Sequence, residues 1–183
     1  PILSNLDVEK QKAGARVEID PEKRNPQDFA LWIKAPENHL MKWDSPWGPS
    51  YPGWHIECSA MGQKYLGDQF DIHTGGIDLI PTHHENEIAQ SKGKCGKIPA
   101  RYWLHGEYLL INGGKMSKSL GNVYLVKDIK ERGYDPIVYK LFSYSCHYRN
   151  KLNCTWEGID AASKSLERLR NSYQMNLNGT DKL

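Results

Sequence analysis

Helix-like and strand-like segments alternate through the middle of the chain, and this alternation limits the fold more than any other feature of the sequence. The helical segments show apolar residues at helical spacing, and the strand-like segments are short apolar or aromatic runs. In order they are 54–66 (helix), 70–74 (strand), 83–92 (helix) and 102–112 (strand), each followed by glycine. Alternation with short connections predicts a parallel, layered α/β sheet.

The segments on either side have a different texture. Residues 1–25 are polar and predict a connector, whereas 29–33 is a short apolar run that predicts a buried strand. Residues 43–53 contain three prolines and two glycines, which predicts a loop. Beyond Gly121 the pattern predicts helices at 125–132, from Asp135 to about 146, and from Thr155 to about 175.

Composition restricts the class of protein. The 183 residues are 39% hydrophobic and 25% charged, which is typical of a globular protein and unlike a disordered chain. No segment approaches the ~20 apolar residues of a membrane span, so we expect no membrane association. The start of the sequence has no pattern of a secretory signal, and the four cysteines form no CxxC pair. We therefore expect a reducing, cytoplasmic location.

The overall charge is nearly balanced, but one segment is basic. The chain carries 24 Lys and Arg against 22 Asp and Glu, which argues against nucleic-acid binding through bulk charge. Between Lys92 and Lys118 six basic residues stand against one acid. Such a concentration suits a phosphate-bearing ligand.

Three residues have the chemistry of metal ligands. His83 and Glu87 are four apart on a predicted helix, which places them on one face, and Cys58 belongs to the preceding helix. Thiolate, imidazole and carboxylate are the ligand types of zinc. The motif is not the HExxH of metalloproteases. The same spacing also fits a structural interpretation, in which Cys58 is a core residue and His83, His84, Glu85 and Glu87 form a solvated helix start. Spacing alone leaves both the metal-ligand and the structural interpretation open.

A basic loop, Lys115-Met116-Ser117-Lys118-Ser119, lies between glycines and offers two ammonium groups and two hydroxyls. This chemistry suits a polyphosphate, although an exposed basic turn has the same composition. The order of residues is more specific than the composition. KMSKS followed by Leu-Gly-Asn resembles the signature loop of class I aminoacyl-tRNA synthetases.

The whole chain resembles one family of that class, the cysteinyl-tRNA synthetases. The matching stretches, in family order, are GARVE (14–18), KRNPQDFALW (23–32), WDSPWG (43–48), PGWHIECSAM (52–61), FDIHTGGIDL (70–79), HHENEIAQS (83–91) and KMSKSLGN (115–122). The resemblance implies that 26–122 is the second half of a Rossmann-like catalytic domain. It implies a connector from an insertion region at 1–25 and an α-helical stem-contact region at 123–183.

The resemblance also implies one zinc ion per chain. The family binds it through two cysteines, a histidine and a glutamate, and the matching residues are Cys58, His83 and Glu87. The fourth ligand is expected from an N-terminal half that this sequence does not include. The metal would take the substrate thiol as thiolate and reject serine. The nearby histidines His55, His73 and His84 are expected to orient the ligands.

Further site residues follow from the same resemblance. Trp54 would line the cysteine pocket, and Gly76 and Asp78 would contact ATP, with Asp78 at the ribose hydroxyls. A buried structural Trp and a turn Asp are the alternatives. Lys115 and Lys118 would be catalytic, with Lys118 also binding ATP and stabilising the departing pyrophosphate. The implied reaction is ATP-dependent activation of cysteine, with Mg²⁺, followed by transfer to tRNA(Cys); a monomer is expected.

Two parts of the family pattern are absent from this sequence, the HIGH motif and the first zinc cysteine. An anticodon-binding domain is absent too. We therefore expect a fragment that has no catalytic activity of its own. The competing predictions are a related ligase that joins cysteine to an aminosugar, and a non-catalytic zinc or RNA-binding module. From Lys127 onward the sequence has ten basic and seven acidic residues, and this small excess of positive charge modestly favours the tRNA enzyme.

Overall fold

The computed structural model describes residues 1–5, 23–25 and 27–177, so most of the predicted connector lies outside the described residues. The chain divides into two compact units, 1–105 and 106–183. No helix within the described ranges is long and apolar enough to cross a membrane.

The first unit contains two helices packed side by side and two pairs of short strands. Its elements are β1 (Trp32–Lys34), β2 (Ser50–Pro52), α1 (Trp54–Leu66), β3 (Phe70–Gly76), a 3-10 helix (Ile77–Leu79), a π-helix (Ile80–His84), α2 (Glu85–Cys95) and β4 (Ala100–Gly106). Strands β1 and β2 pair in antiparallel register, and β3 pairs with β4. Helix α1 packs against α2.

Helix α1 has the bounds predicted from the sequence, because local signals set both of its ends. Gly53 precedes its first residue in an extended conformation, and Gly67 follows its last. The amide of Gly67 donates to the carbonyl of Gln63, which satisfies one of the free carbonyls of the last turn.

The predicted end of α2 at Gly93 was wrong. The helix continues to Cys95 and ends at Gly96, whose φ of 74° is left-handed and whose amide donates to the carbonyl of Lys92. A glycine ends a helix when it takes this left-handed conformation, whereas elsewhere it only weakens the helix. Burial of the apolar Ile88 on the inner face of α2 stabilises the helix.

The predicted strand at 29–33 and loop at 43–53 also need correction. The strand covers Trp32–Lys34 and is not buried, since Trp32 is 36% exposed. The loop includes β2, and Trp43 forms an additional bridge to Ser50. Proline excludes helix here, but it does not prevent short edge pairing, which depends on a distant partner.

The second unit combines a small mixed sheet with three helices. Its elements are β5 (Leu109–Ile111), β6 (Gly114–Lys115), a 3-10 helix (Lys118–Leu120), α3 (Val126–Glu131), α4 (Ile137–Ser143), β7 (Leu152–Cys154) and α5 (Trp156–Leu177). Strand β5 pairs with β6 in antiparallel and with β7 in parallel orientation. The core is apolar and consists of Ile111, Ile129, Val138, Phe142, Cys154, Ile159 and Ala162.

The predicted strand at 102–112 is two strands, β4 and β5, interrupted at Glu107 and Tyr108. After β5 the chain reverses at Asn112 and Gly113, both with positive φ (49° and 79°), as a tight antiparallel hairpin requires. The Asn-Gly pair is a known hairpin signal, but this turn was not predicted from the sequence. It explains why β6 is antiparallel to β5, whereas a parallel sheet was predicted. The β1–β2 pair is antiparallel as well. Helix α4 ends at Ser143, three residues before the predicted end.

Candidate functional site

The interior of the first unit is unusually polar. His83, His84 and Glu87 are 4%, 1% and 3% exposed, and Ser50 and Ser91 are 1% exposed. Buried polar groups are costly unless they have partners. His83 and His84 lie together with Glu87, since Nε2 of each is within 4 Å of Oε2 of Glu87, and this clustering marks a site.

The π-helix at Ile80–His84 places the two adjacent histidines. Both are buried, although consecutive residues of a regular α-helix point about a quarter turn apart. The wider π turn joins directly to α2, whose Glu87 and Ile88 are buried as well. Single π turns are frequent at functional sites. The sequence predicted the helix but gave no sign of this turn.

The structure brings Cys58, His83 and Glu87 close together. A thiol sulfur from α1, an imidazole nitrogen from the π turn and a carboxylate oxygen from α2 lie within 4.8 Å of one another. Nε2 of His83 is 3.6 Å from Oε2 of Glu87. Two light-atom ligands of a tetrahedral zinc, each ~2.0–2.1 Å from the metal, are separated by about 3.4 Å. The three donors therefore fit zinc in type, and the His83–Glu87 pair also fits it in spacing.

A second group shares Glu87. His73, His84 and Glu87 also offer ligand atoms within 4.8 Å of one another. Nε2 of His73 is 2.9 Å from Oε2 of Glu87, which is a hydrogen-bond distance. His84 Nε2 is 3.9 Å from the same oxygen. The short His73 contact indicates that this histidine orients the Glu87 carboxylate.

His55 and His105 form hydrogen bonds with the buried histidines His83 and His84, respectively. Nδ1 of His55 lies 2.8 Å from Nδ1 of His83, and Nδ1 of His84 lies 2.8 Å from Nε2 of His105. Since His83 uses Nδ1 toward His55, its Nε2 remains directed to the Glu87 side. His105 was not predicted, because its partner is 21 residues away in sequence and no local pattern joins them.

Burial favours the neutral forms of three histidines and of the cysteine at this site. Burial lowers the pKa of His84 to about 4, with a further lowering by His73. Burial likewise lowers the pKa of His55 and of His105. Burial, reinforced by the Glu87 carboxylate, raises the pKa of the Cys58 thiol. A cation at this position would reverse the last effect, because positive charge stabilises a thiolate.

Trp54 lies at the edge of the cluster. Its ring stacks on that of His83 with centroids 4.4 Å apart, yet the residue is 59% exposed. The alternative of a buried structural Trp was therefore wrong. An exposed aromatic face beside the donor group can contact a small ligand.

Gly76 and Asp78 lie where β3 meets the 3-10 helix. Gly76 is the last residue of β3 and precedes the 3-10 helix in an extended conformation, and Asp78 is exposed in its first turn. A side chain at position 76 would collide with the Asp78 carboxylate. A side chain at position 76 would therefore require the Asp78 side chain to move, and the Asp78 carboxylate is open to solvent.

The basic loop belongs to the second unit and has internal order. Lys115 ends β6, and Lys118 opens the 3-10 helix; both lysines are exposed. The side chain of Asn122 accepts from the amide of Ser117 (2.8 Å) and donates to the carbonyl of Lys115 (2.9 Å). The loop therefore presents two exposed lysine side chains, and Asn122 holds its backbone in place.

Glu85 was not predicted as a functional residue from the sequence. Its carboxylate accepts hydrogen bonds from the backbone amides of Ile2, Leu3 and Ser4. Burial opposes ionisation, but these bonds outweigh it and lower the pKa of Glu85. The partners are more than 80 residues apart, so no periodicity could have revealed them.

With this geometry established, comparison with known proteins gives the family. Residues 1–164 match the family described as the catalytic domain of class I (C) tRNA synthetases, and the chain belongs to it. The resemblance seen in the motifs is thereby confirmed.

Similar relatives are named cysteine–tRNA ligase. One from Treponema denticola is 50% identical over 97% of this chain and 36% of its own length. Another from Geobacillus sp. (strain WCH70) is 56% identical over 93% of this chain and 36% of its own length, and one from Pelotomaculum thermopropionicum is 53% identical over 94% and 35%. The chain spans about a third of these relatives.

A solved structure supports the fold. A chain from the ternary complex of Agrobacterium radiobacter K84 agnB2 LeuRS-tRNA-LeuAMS matches 75% of this chain and 22% of its own, with a TM-score of 0.54 and 21% identity. Together with the mixed helix and strand content, this match agrees with the predicted α/β class.

Proposed function

We propose that the intact protein containing this chain activates cysteine with ATP and transfers it to tRNA(Cys). The observation that carries the proposal is the convergence of Cys58, His83 and Glu87 within 4.8 Å in a family whose similar members are named cysteine–tRNA ligases. A zinc ion held by these three residues, with a fourth ligand from elsewhere in the protein, would supply a Lewis acid that prefers a thiolate to a hydroxyl.

The chain's own residues orient the donors. His55 contacts Nδ1 of His83 and leaves Nε2 free to bind, while His73 fixes the carboxylate of Glu87. Ligands held in this way need no rearrangement when a substrate arrives, and such outer contacts are commonly required for tight metal binding. Trp54 would cover the substrate side of the His83 ring.

Binding of ATP is assigned to two separate parts of the sequence. Gly76 and Asp78 would contact the adenosine, because Gly76 has no side chain to block approach and the Asp78 carboxylate can accept from ribose hydroxyls. Lys115 and Lys118 would bind the phosphates, with Mg²⁺ as the usual counter-ion. Lys118 would stabilise the charge that develops on the departing pyrophosphate.

Several broader properties belong to the same proposal. Residues 123–183 are assigned to contact with the tRNA stem, and the protein is assigned to the cytoplasm as a monomer. The 183-residue chain alone is expected to be inactive, since the proposed zinc site has three ligands here and the HIGH residues lie outside this sequence.

The experiment is ATP–pyrophosphate exchange by the intact protein, with cysteine or serine, followed by transfer to tRNA or to an aminosugar. We expect exchange with cysteine only, transfer to tRNA only, and loss of bound zinc and exchange in Cys58→Ser. Cys146→Ser is the matched control, because Cys146 lies in the second unit. Transfer to the aminosugar would establish the related ligase instead, and an absence of exchange would leave a non-catalytic module.

A further inference from the structure

The carboxylate of Glu85 is surrounded by donors from one short segment. Oε1 accepts from the amides of Ile2 (2.8 Å), Leu3 (2.6 Å) and Ser4 (2.7 Å), and from the Ser4 hydroxyl (3.1 Å). Oε2 is 2.9 Å from the amide of Ile2. Successive backbone amides that converge on an anion form a strong, oriented contact.

Glu85 holds this segment and lies beside the proposed zinc ligands in the sequence. It is the first residue of α2, two residues after His83 and two before Glu87. Residues two apart on a helix point to different sides, so Glu85 reaches away from the proposed ligands His83 and Glu87. The segment 2–4 therefore contacts the outer side of the same helical turn that carries two proposed zinc ligands on its inner side.

We propose that Glu85 is a positioning residue, which fixes the start of α2 against the segment 2–4 and so sets the placement of His83 and Glu87. This inference rests on the proposed zinc site. Glu85 does not contact the metal or the substrate in this proposal; it acts only through the orientation of the helix start.

Two variants break the contact from opposite ends. Glu85→Gln keeps the size of the side chain but replaces one acceptor oxygen with an amide that repels the Ile2 N–H. Leu3→Pro removes the backbone N–H that donates to Oε1 at 2.6 Å, and it leaves the sequence of α2 unchanged. Glu157→Gln is the matched control, since Glu157 is an exposed glutamate in the first turn of α5.

The measurement is zinc affinity of the intact protein by competition with a chromophoric chelator, together with the melting temperature and the kcat and KM for cysteine in pyrophosphate exchange. We expect Glu85→Gln and Leu3→Pro each to weaken zinc binding by about 10- to 100-fold, as loss of other outer contacts does. Excess zinc should restore kcat, with KM for cysteine remaining raised. The control should match the wild type.

The outcomes separate the two proposals. If the wild type binds no zinc and Cys58→Ser changes nothing, the proposed zinc site itself is wrong. If the wild type binds zinc and Cys58→Ser abolishes binding, but Glu85→Gln and Leu3→Pro keep wild-type zinc affinity, only the positioning role is overturned. A fall in melting temperature with unchanged zinc affinity in either variant has the same meaning, because it shows a merely structural contact.

Discussion

Nε2 of His73 lies 2.9 Å from Oε2 of Glu87, whose side chain is 4% exposed. A carboxylate oxygen only accepts, so the imidazole donates and fixes the carboxylate. His73→Ala should therefore weaken zinc binding by about 10- to 100-fold without removing a ligand. The measurement is chelator competition on the intact protein.

The control for this prediction is His147→Ala, because His147 is exposed and belongs to the second unit. Equal zinc affinity in His73→Ala and wild type would show that zinc binding does not depend on the hydrogen bond between His73 and Glu87. A complete loss of zinc would instead make His73 a ligand.

Gly75 is predicted to accept no side chain. A Cβ there would lie 2.7 Å from Cε1 of His84 and 2.8 Å from Cδ1 of Leu79. His84 is 1% exposed and hydrogen-bonded to His105, so its ring has little room to move. Gly75→Ala should lower the free energy of unfolding by about 1–3 kcal/mol, measured by urea titration.

Gly93 offers the opposite case within the same unit. It lies in helix α2, and a Cβ there meets nothing within 4 Å. Gly93→Ala should raise the free energy of unfolding by up to about 1 kcal/mol, because alanine is the better helix former. Equal effects of the two substitutions would contradict the packing argument.

Lys118→Ala should slow cysteine activation by the intact protein and leave cysteine binding nearly unchanged. The lysine is needed mainly where pyrophosphate departs, and removal of one preorganised donor typically costs on the order of 10²–10³ in rate. Pyrophosphate-exchange kinetics measure kcat and KM separately. Lys130→Ala, an exposed lysine of α3, is the control. A collapse of cysteine affinity with a surviving rate would assign Lys118 a different role.

Asp135 should give the second unit an acid-sensitive contact. Its carboxylate accepts from the Arg170 guanidinium (2.6 Å) and from the Ile137 amide, and these contacts lower its pKa. A lowered pKa in the folded state means stability that is present above the unfolded value of about 4 and lost as pH falls through the folded value. Melting temperatures measured at decreasing pH should fall less in Asp135→Asn than in the wild type. An identical pH dependence in the two proteins would show that Asp135 makes no such contribution to stability.

Elements whose ends depend on nearby residues were predictable. Helix α1 has its predicted bounds because Gly67 lies next to its last turn. The start of α5 was equally local, since the Thr155 hydroxyl accepts from the amide of Gly158. Strand β2 was missed for the opposite reason, because its partner β1 is in a separate part of the sequence.

The sequence by itself determined the family, through motifs that occur in a fixed order, and it determined that His83 and Glu87 share a helix face. The motif resemblance named Cys58 and His73 as their neighbours, but only the tertiary structure decided how these groups meet and added His105. The π turn that buries both His83 and His84, the approach of Cys58 from α1, and the contact of His73 with Glu87 all depend on packing between distant segments. Periodicity records the direction of a side chain from its own helix, but it carries no information about which distant side chain meets it there.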